Sequence, residues 1–436
     1  MTPTTPIGPH STESFEQFLS QRSEPAWLTE QRRQNWALFE RLPPPSRRDE
    51  EWLRTDIRLF RWDQYPLPTA GASSSKLTAT PLLTDGVDLC GRTVALDSHL
   101  ITSELDPALS RQGVIFCGLE QAAASHPELV QRYLGSVVAA DTDRFSALQG
   151  ACHSGGTFLY VPRGVKLSQP LHTLTALSPQ NSDFSHLLVV LEAGAEATLL
   201  SETAGDQHAG GLHNGAIELI CHPGSKLRYV NLQNWGQGTW HFAQQKALVH
   251  SGAQLQWTIA ALGSRLAKVN QHVALIGPDA QTQVNGVMFT EGKQHLSYNT
   301  LQHHVAPHCQ SDLLYKGALQ DKSRLVWRGM IKVDPAAQKT NGYQRNDNLM
   351  LSDEARADSI PGLEIEADDV RCTHGATAGR VDQEQIFYCQ TRGLTRKEAI
   401  RTVVTGFFQQ VFDRITIESV RNALGGAINR RIREFA

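Results

Sequence analysis

The sequence predicts a mainly β protein, a solenoid of short strands held between helical ends, and three observations carry that expectation. From Thr157 to about Gly379 the chain runs as short alternating strands separated by small turn residues. Within that stretch a weak repeat recurs: Glu192-Ala193-Gly194-Ala195-Glu196, His222-Pro223-Gly224-Ser225-Lys226, Ser251-Gly252-Ala253-Gln254 and Gly277-Pro278-Asp279-Ala280-Gln281, each after an apolar run. Its small residues Ala195, Ser225, Ala253 and Ala280 lie 30, 28 and 27 positions apart, a near-constant period of the kind a solenoid shows, where each unit buries its apolar face only against its neighbours. A β-sandwich is the alternative, but single hairpin-linked strands recur about every 8 to 12 residues, well short of this period. Third, clear helices close the chain after Asp382.

In order along the chain, Phe15, Phe18 and Leu19 stand at helical spacing, and Trp27 opens a second apolar series that ends at Pro43-Pro44-Pro45. Residues 1–65 are therefore expected to form a small helical domain. Residues 66–150 are read as a linker, rich in Pro, Ser and Thr from Pro66 to Pro81, followed by a mixed lead-in with a strand at Gly113 to Cys117 and helices around Leu119 to Tyr133. The β-helix core is placed at 151–380 and a C-terminal helical domain at 381–436. In that last domain Thr395 and Glu398 have the spacing of a capping box directly after Gly393. Ile400, Val403, Val404, Phe407, Phe408, Val411 and Phe412 form a wide apolar stripe, and Ile417, Val420, Leu424, Ile428 and Ile432 form a second one. Either the two helices pack on each other, or the stripes supply a groove or knob for a partner.

Composition bounds the function classes. The 436 residues are enough for about three domains with ample core. A formal net charge of −3 with 19% charged residues gives no basic bias toward nucleic acid, and no apolar run reaches membrane-spanning length. The first twenty residues lack Arg, Lys and an apolar stretch, so neither a secretory nor an organellar leader is expected. Seven cysteines without regular spacing suit reduced thiols in a cytoplasmic compartment. No phosphate-binding loop is present: Gly286 to Gly292-Lys293-Gln294 has the wrong spacing and Gln where Ser or Thr should hold magnesium, so the chain should not hydrolyse ATP alone. His-Glu-x-x-His, Cys-x-x-Cys and Gly-x-Ser-x-Gly are all missing.

The candidate chemistry lies in Arg371 to Gly393. Cys372 and His374 are two residues apart, so in a strand they address one face, and a thiolate with an imidazole suits zinc or iron. The alternative is a half-buried Cys and a surface His beside a turn. His303, His304, His308 and Cys309 make a second cluster, interrupted by Pro307 and fitting no standard metal spacing. Glu364, Glu366, Asp368 and Asp369 open an alternative, a β-helix polysaccharide lyase or hydrolase with paired carboxylates or bound calcium, although no matching Arg or Lys cluster accompanies them.

Four long blocks resemble the SufB/SufD family of iron-sulfur cluster assembly proteins over almost the whole chain. They are EWLRTD (Glu51–Asp56), DRFSALQGACHSGGTFLYVPRGVKLSQPL (Asp143–Leu171), LSDEARADSIPGLEIEADDVRCTHGAT (Leu351–Thr377) and DQEQIFYCQTRGLTRKEAI (Asp382–Ile400). The SufD-type member is the better match, because Gly375 follows His374 where SufB-type chains carry Glu, and the Cys-rich N-terminal motif of many SufB-type chains is missing. The resemblance implies a right-handed parallel β-helix core flanked by N-terminal and C-terminal α-helical domains. It also implies a non-enzymatic scaffold that pairs with a SufB-type paralogue and binds a SufC-type ATPase through its C-terminal helices, with a homodimer left open. His374 and Cys372 match the family motif at the paralogue interface, as metal co-ligands there. No intrinsic cofactor is implied; a transient iron-sulfur cluster belongs to the complex, and flavin binding is left open.

Overall fold

The computed structural model describes residues 10–68 and 80–432, and in it the repeat becomes two ten-stranded sheets. One sheet holds Glu196–Gly205, Lys226–Gln233, Gln254–Ala261, Gln281–Thr290, Gln310–Leu319, Asn341–Met350 and Arg371–Arg380 side by side. The other holds Gly210–Cys221, Gly238–Val249, Leu266–Leu275, His295–His304, Arg324–Val333 and Arg356–Ile365. Each strand pairs in parallel with the next but one, and the chain winds as a parallel β-solenoid of about eight turns, as the period predicted.

In-register pairing turns the strand alternation into columns of like side chains. Leu199, Tyr229, Trp257, Val284 and Leu313 follow one another across the first sheet, each facing the lumen and no more than 1% exposed. Burying each contributes about 1.5–3 kcal/mol. The repeat's small residues explain the period. Ala195, Ser225, Ala253 and Ala280 are fully buried, and each carbonyl accepts from the first residue of a neighbouring strand: Lys226, Gln254, Gln281 and Gln310. The residue before each holds a positive φ, which Gly194, Gly224 and Gly252 adopt without steric cost. Asp279 takes the same conformation one turn later, and His308 and Lys339 continue the pattern.

Both ends are helical. Helices α1 (Thr12–Ser20) and α2 (Ala26–Arg41) and the chain after them contribute Phe15, Trp36, Phe39, Trp52 and Phe60 to an aromatic cluster with Phe145 and with Trp240 and Phe242 of the solenoid wall. Three short helices follow in the lead-in, α3 (Pro107–Arg111), α4 (Leu119–Ser125) and α5 (Pro127–Tyr133), and then α6 (Arg144–Cys152). The buried Arg32 guanidinium ties α2 to the chain beyond α6 by donating to the carbonyls of Ala151 and His153. Strand pairing starts earlier than residue 151. Gly91–Leu96 lies parallel to Leu171–Leu177, and Ile115–Gly118 lies antiparallel to Thr157–Val161. The strand at Ile115–Gly118 answers to the one expected at Gly113 to Cys117, whereas Gly91–Leu96 precedes the regular repeat and periodicity gave no sign of it. The linker read over 66–81 lies for the most part outside the described residues.

At the other end, α7 (Gln383–Thr391), α8 (Arg396–Phe412) and α9 (Glu418–Arg431) fold back onto the outer face of the first sheet. Leu200, Val230, Leu232, Ala260, Leu262, Val287, Phe289, Leu314 and Ala318 of that face meet Ile400, Val404, Phe408, Val411, Leu424 and Ile428. Covering both faces of the sheet accounts for continuous apolar runs such as Val287-Met288-Phe289. Thr395 caps α8 as expected: its hydroxyl accepts from the Glu398 N–H, and the Glu398 carboxylate accepts from the Thr395 N–H at 2.8 Å. Thr395→Ala should cost about 1 kcal/mol of helix stability, the usual loss of a hydroxyl cap. Hydrogen exchange in the first turn of α8 measures it; unchanged protection would mean that the cap carries no weight. The Thr395 N–H and hydroxyl, both donating to the Glu398 carboxylate, hold that carboxyl below its ordinary range. The box is therefore fully formed above the unfolded carboxylate's pKa and weakens as pH falls through the lowered folded value.

Candidate functional site

The solenoid is open at its C-terminal end. Arg371–Arg380 is the last strand of the first sheet and Arg356–Ile365 the last of the second, so each offers an unpaired backbone edge. Most of Arg371–Arg380 is exposed, and Leu363 and Ile365 are exposed beside it.

Cys372 and His374 stand on this terminal strand, in register with Gly342 and Gln344. His374 continues the lumen-facing column that begins at Leu199, one step after Gln344, and with no further coil above it the imidazole is open to solvent. Cys372 is half-buried and packs beside Ile331, Val333, Ala337 and Val370. Burial pushes its thiol up, against a smaller opposing effect of the Gly342 backbone hydrogen bond, so at neutral pH it is a protonated thiol. The pair thus has the predicted shared face, with an accessible ring nitrogen and a thiol that must lose a proton to bind metal. Gly375 next to them has room for a side chain, since an added Cβ would meet only the Arg345 Cγ, at 3.8 Å. The acidic ligand missing there is absent by composition, with no steric reason.

The structure does not gather the other candidates. His303 faces outward and bonds Asp334 through Nε2 at 2.9 Å, whereas His304 is buried in the lumen against the Ser311 hydroxyl at 2.8 Å. His308 is the positive-φ turn residue, and Cys309 is a buried small residue of the repeat. Strand alternation splits this cluster into three environments. Glu364 pairs with Lys332 at 2.6 Å, and Glu366, Asp368 and Asp369 lie exposed beyond the end of the strand at Ile365, so the alternation that would align them with Glu364 stops short. Among the described residues no group of three or more His, Cys, Asp or Glu forms a ligand set. A groove of about 650 Å³ is lined by Gln254, Gln256, Gln281, Gln283 and Gln310 among others. Its two carboxylates are already engaged, Glu196 by Lys166 at 2.6 Å and Asp312 by Arg414 at 3.1 Å, which does not suit acid–base work on a sugar.

The C-terminal stripe requires a correction. Ile400, Val404, Phe408, Val411 and Phe412 are buried on the solenoid, and Val403 and Phe407 are partly buried with them, so this stripe is core and not a free dock. An amphipathic pattern reports that a face is covered without naming what covers it, and here the solenoid does. Among the described residues of the domain, the large exposed apolar ones are Phe387 and Tyr388 on α7, at 67% and 59%, with the Arg392 guanidinium over the Tyr388 ring. The sequence reading passed over them because two adjacent aromatics make no stripe. Among the described residues, no helix is long and apolar enough to cross a membrane.

Comparison with known proteins agrees with this architecture. Residues 173–407 match the family described as SUF system FeS cluster assembly, SufBD core domain, and residues 13–173 match the SufBD protein N-terminal region. An iron-sulfur cluster assembly SufBD family protein of Staphylococcus epidermidis is 26% identical over 413 residues, covering 91% of this chain and 88% of its own. Proteins of the same description from Staphylococcus haemolyticus and Staphylococcus aureus are equally similar over the same span.

Proposed function

The chain belongs to the SufBD family and hence has a role in iron-sulfur cluster assembly, and from that premise we propose that it is the SufD-type scaffold subunit of a cytoplasmic SUF complex. In this reading it pairs with a SufB-type paralogue through the open end of the solenoid and binds a SufC-type ATPase through its C-terminal helices. It performs no chemistry alone. The observation that carries the reading is the uncovered terminal coil, where two free strand edges, the exposed Leu363 and Ile365, and Cys372 with His374 share one end of the molecule. Unpaired edges are ready templates for a second sheet, and a related solenoid offering the same end would cover them.

Iron and sulfur are cargo in this scheme. His374 offers a ring nitrogen at the seam, Cys372 a thiol behind it, and the partner supplies the ligands that this chain lacks, including the carboxylate missing at Gly375. The C-terminal helices bear on the same sheet whose last strand carries the pair. Arg414 bonds Asp312 at 3.1 Å, its carbonyl accepts from Gln256 at 2.8 Å, and Arg431 donates to Asn234 at 2.7 Å. Displacement of these helices by ATPase subunits would therefore load the first sheet directly. Co-expression with a SufB-type paralogue and a SufC-type ATPase, followed by size-exclusion chromatography, should yield one assembly containing all three. Elution of this chain free of both partners would reject the reading.

A further inference from the structure

Inside the N-terminal half of the solenoid lies a polar chamber that the scaffold role does not use. Thr157, Thr173, Ser201, Thr203 and Asn231 line a cavity of about 50 Å³, together with His213 and His241. That volume has room for an ion with a few waters. Next to it the lumen is filled by Trp257, Val284, Leu313 and Trp327, before polar groups return at His304 and Ser311.

Asp183, His213 and His241 occupy one column on successive turns. Asp183 is fully buried and accepts from the Ser98 hydroxyl at 2.9 Å, the Ser185 hydroxyl at 2.7 Å and the His213 Nδ1–H at 2.8 Å. Because Asp183 takes the His213 Nδ1–H, Nε2 is the ring nitrogen left for a ligand. Gly215 lets the ring sit there, since a Cβ at that position would fall 2.3 Å from Nε2. The neighbouring His241 ring stacks at 4.8 Å, is 3% exposed, and neither of its nitrogens has a hydrogen-bond partner.

We propose that this chamber is a binding site for a divalent first-row transition ion, ligated by His213 Nε2 and a His241 ring nitrogen, with Asp183 orienting His213 from behind and chamber water completing the coordination. A carboxylate behind a histidine is the usual support of a metal-bound imidazole, and imidazole with oxygen ligands suits this class of ion. The ion would balance the buried Asp183 charge and give His241 the partner it lacks. This site lies in the lumen and is separate from the pair at the open end.

The test is a Co(II) titration of the chelator-treated full chain, read by visible absorption and by thermal melting. The wild type should bind Co(II) and melt at higher temperature with it, whereas His241→Ala and the closer-sized His241→Gln should bind at least about tenfold more weakly, and Asp183→Asn about 10- to 100-fold more weakly. No binding by the wild type, or equal binding by folded His241 variants, would mean that the chamber holds only water, and the proposal would fail. If the His241 variants do not fold, anomalous diffraction from Co(II)-soaked wild-type crystals decides, with a peak between His213 and His241 supporting the site and its absence rejecting it.

Discussion

His374→Ala is expected to leave the three-component complex and its ATPase rate intact while the complex isolated from cells loses most of its iron and acid-labile sulfide. The imidazole is solvent-open on the terminal coil and makes no packing contact that holds the fold, so its removal should not unfold the chain. At the proposed seam, however, it is the readily available nitrogen donor of this chain, and loss of a ligand should lower metal content by about tenfold or more, since even outer partners of ligands cost that much. Cys372→Ala should have a similar or smaller effect, because burial keeps that thiol protonated and its side chain also fills space beside Ile331 and Val333. Iron and sulfide equal to wild type in a His374→Ala complex would place the cluster wholly on the paralogue and reduce this chain to a platform. The ATPase assay separates the two failures: lost complex formation indicts the interface, and retained complex with retained iron indicts the ligand.

The architecture was legible because solenoid turns repeat their constraints. Ala195, Ser225, Ala253 and Ala280 marked the period by being small where the turn is tight, and the structure buries all four. The continuation was harder to see, because His308 and Lys339 adopt the left-handed turn that glycine announces elsewhere. Read in that frame, His308 and Cys309 were turn and core, not ligands. The same period held an unused signal: Asp183, His213 and His241 are 30 and 28 positions apart, one turn each, so the column could have been read from the repeat. What no local pattern contained was the covering of the first sheet by α8. The stripe from Ile400 to Phe412 states only that something apolar lies opposite, and the solenoid and an ATPase groove satisfy it equally. Likewise Cys372 and His374 were legible as a same-face pair, but their position on an uncovered last coil depends on where the winding stops.

The burial of that stripe moves the ATPase-docking prediction to α7. Phe387 and Tyr388 are large aromatics held out in solvent on a helix whose Ile386 is fully buried, so the helix is anchored on one side and presents the other. Aromatic residues with a neighbouring arginine are the composition that dominates binding energy at protein interfaces, where single truncations commonly cost about 2 kcal/mol or more. The double substitution Phe387→Asp and Tyr388→Asp should therefore abolish ATPase binding at micromolar concentrations, with a far-ultraviolet circular dichroism spectrum and melting temperature like those of the wild type. Deleting everything after Gly393 is a poor substitute, because it would strip the cover from Val230, Val287, Phe289 and Leu314 and expose the sheet. A charge at Phe408 would fail for the same reason, by unfolding the domain from within. If the α7 double variant binds the ATPase as the wild type does, the dock lies on the outer faces of α8 and α9. Arg401, Gln409 and Glu418 would then be the next positions to change, and paralogue pairing at the open end would stand unaffected.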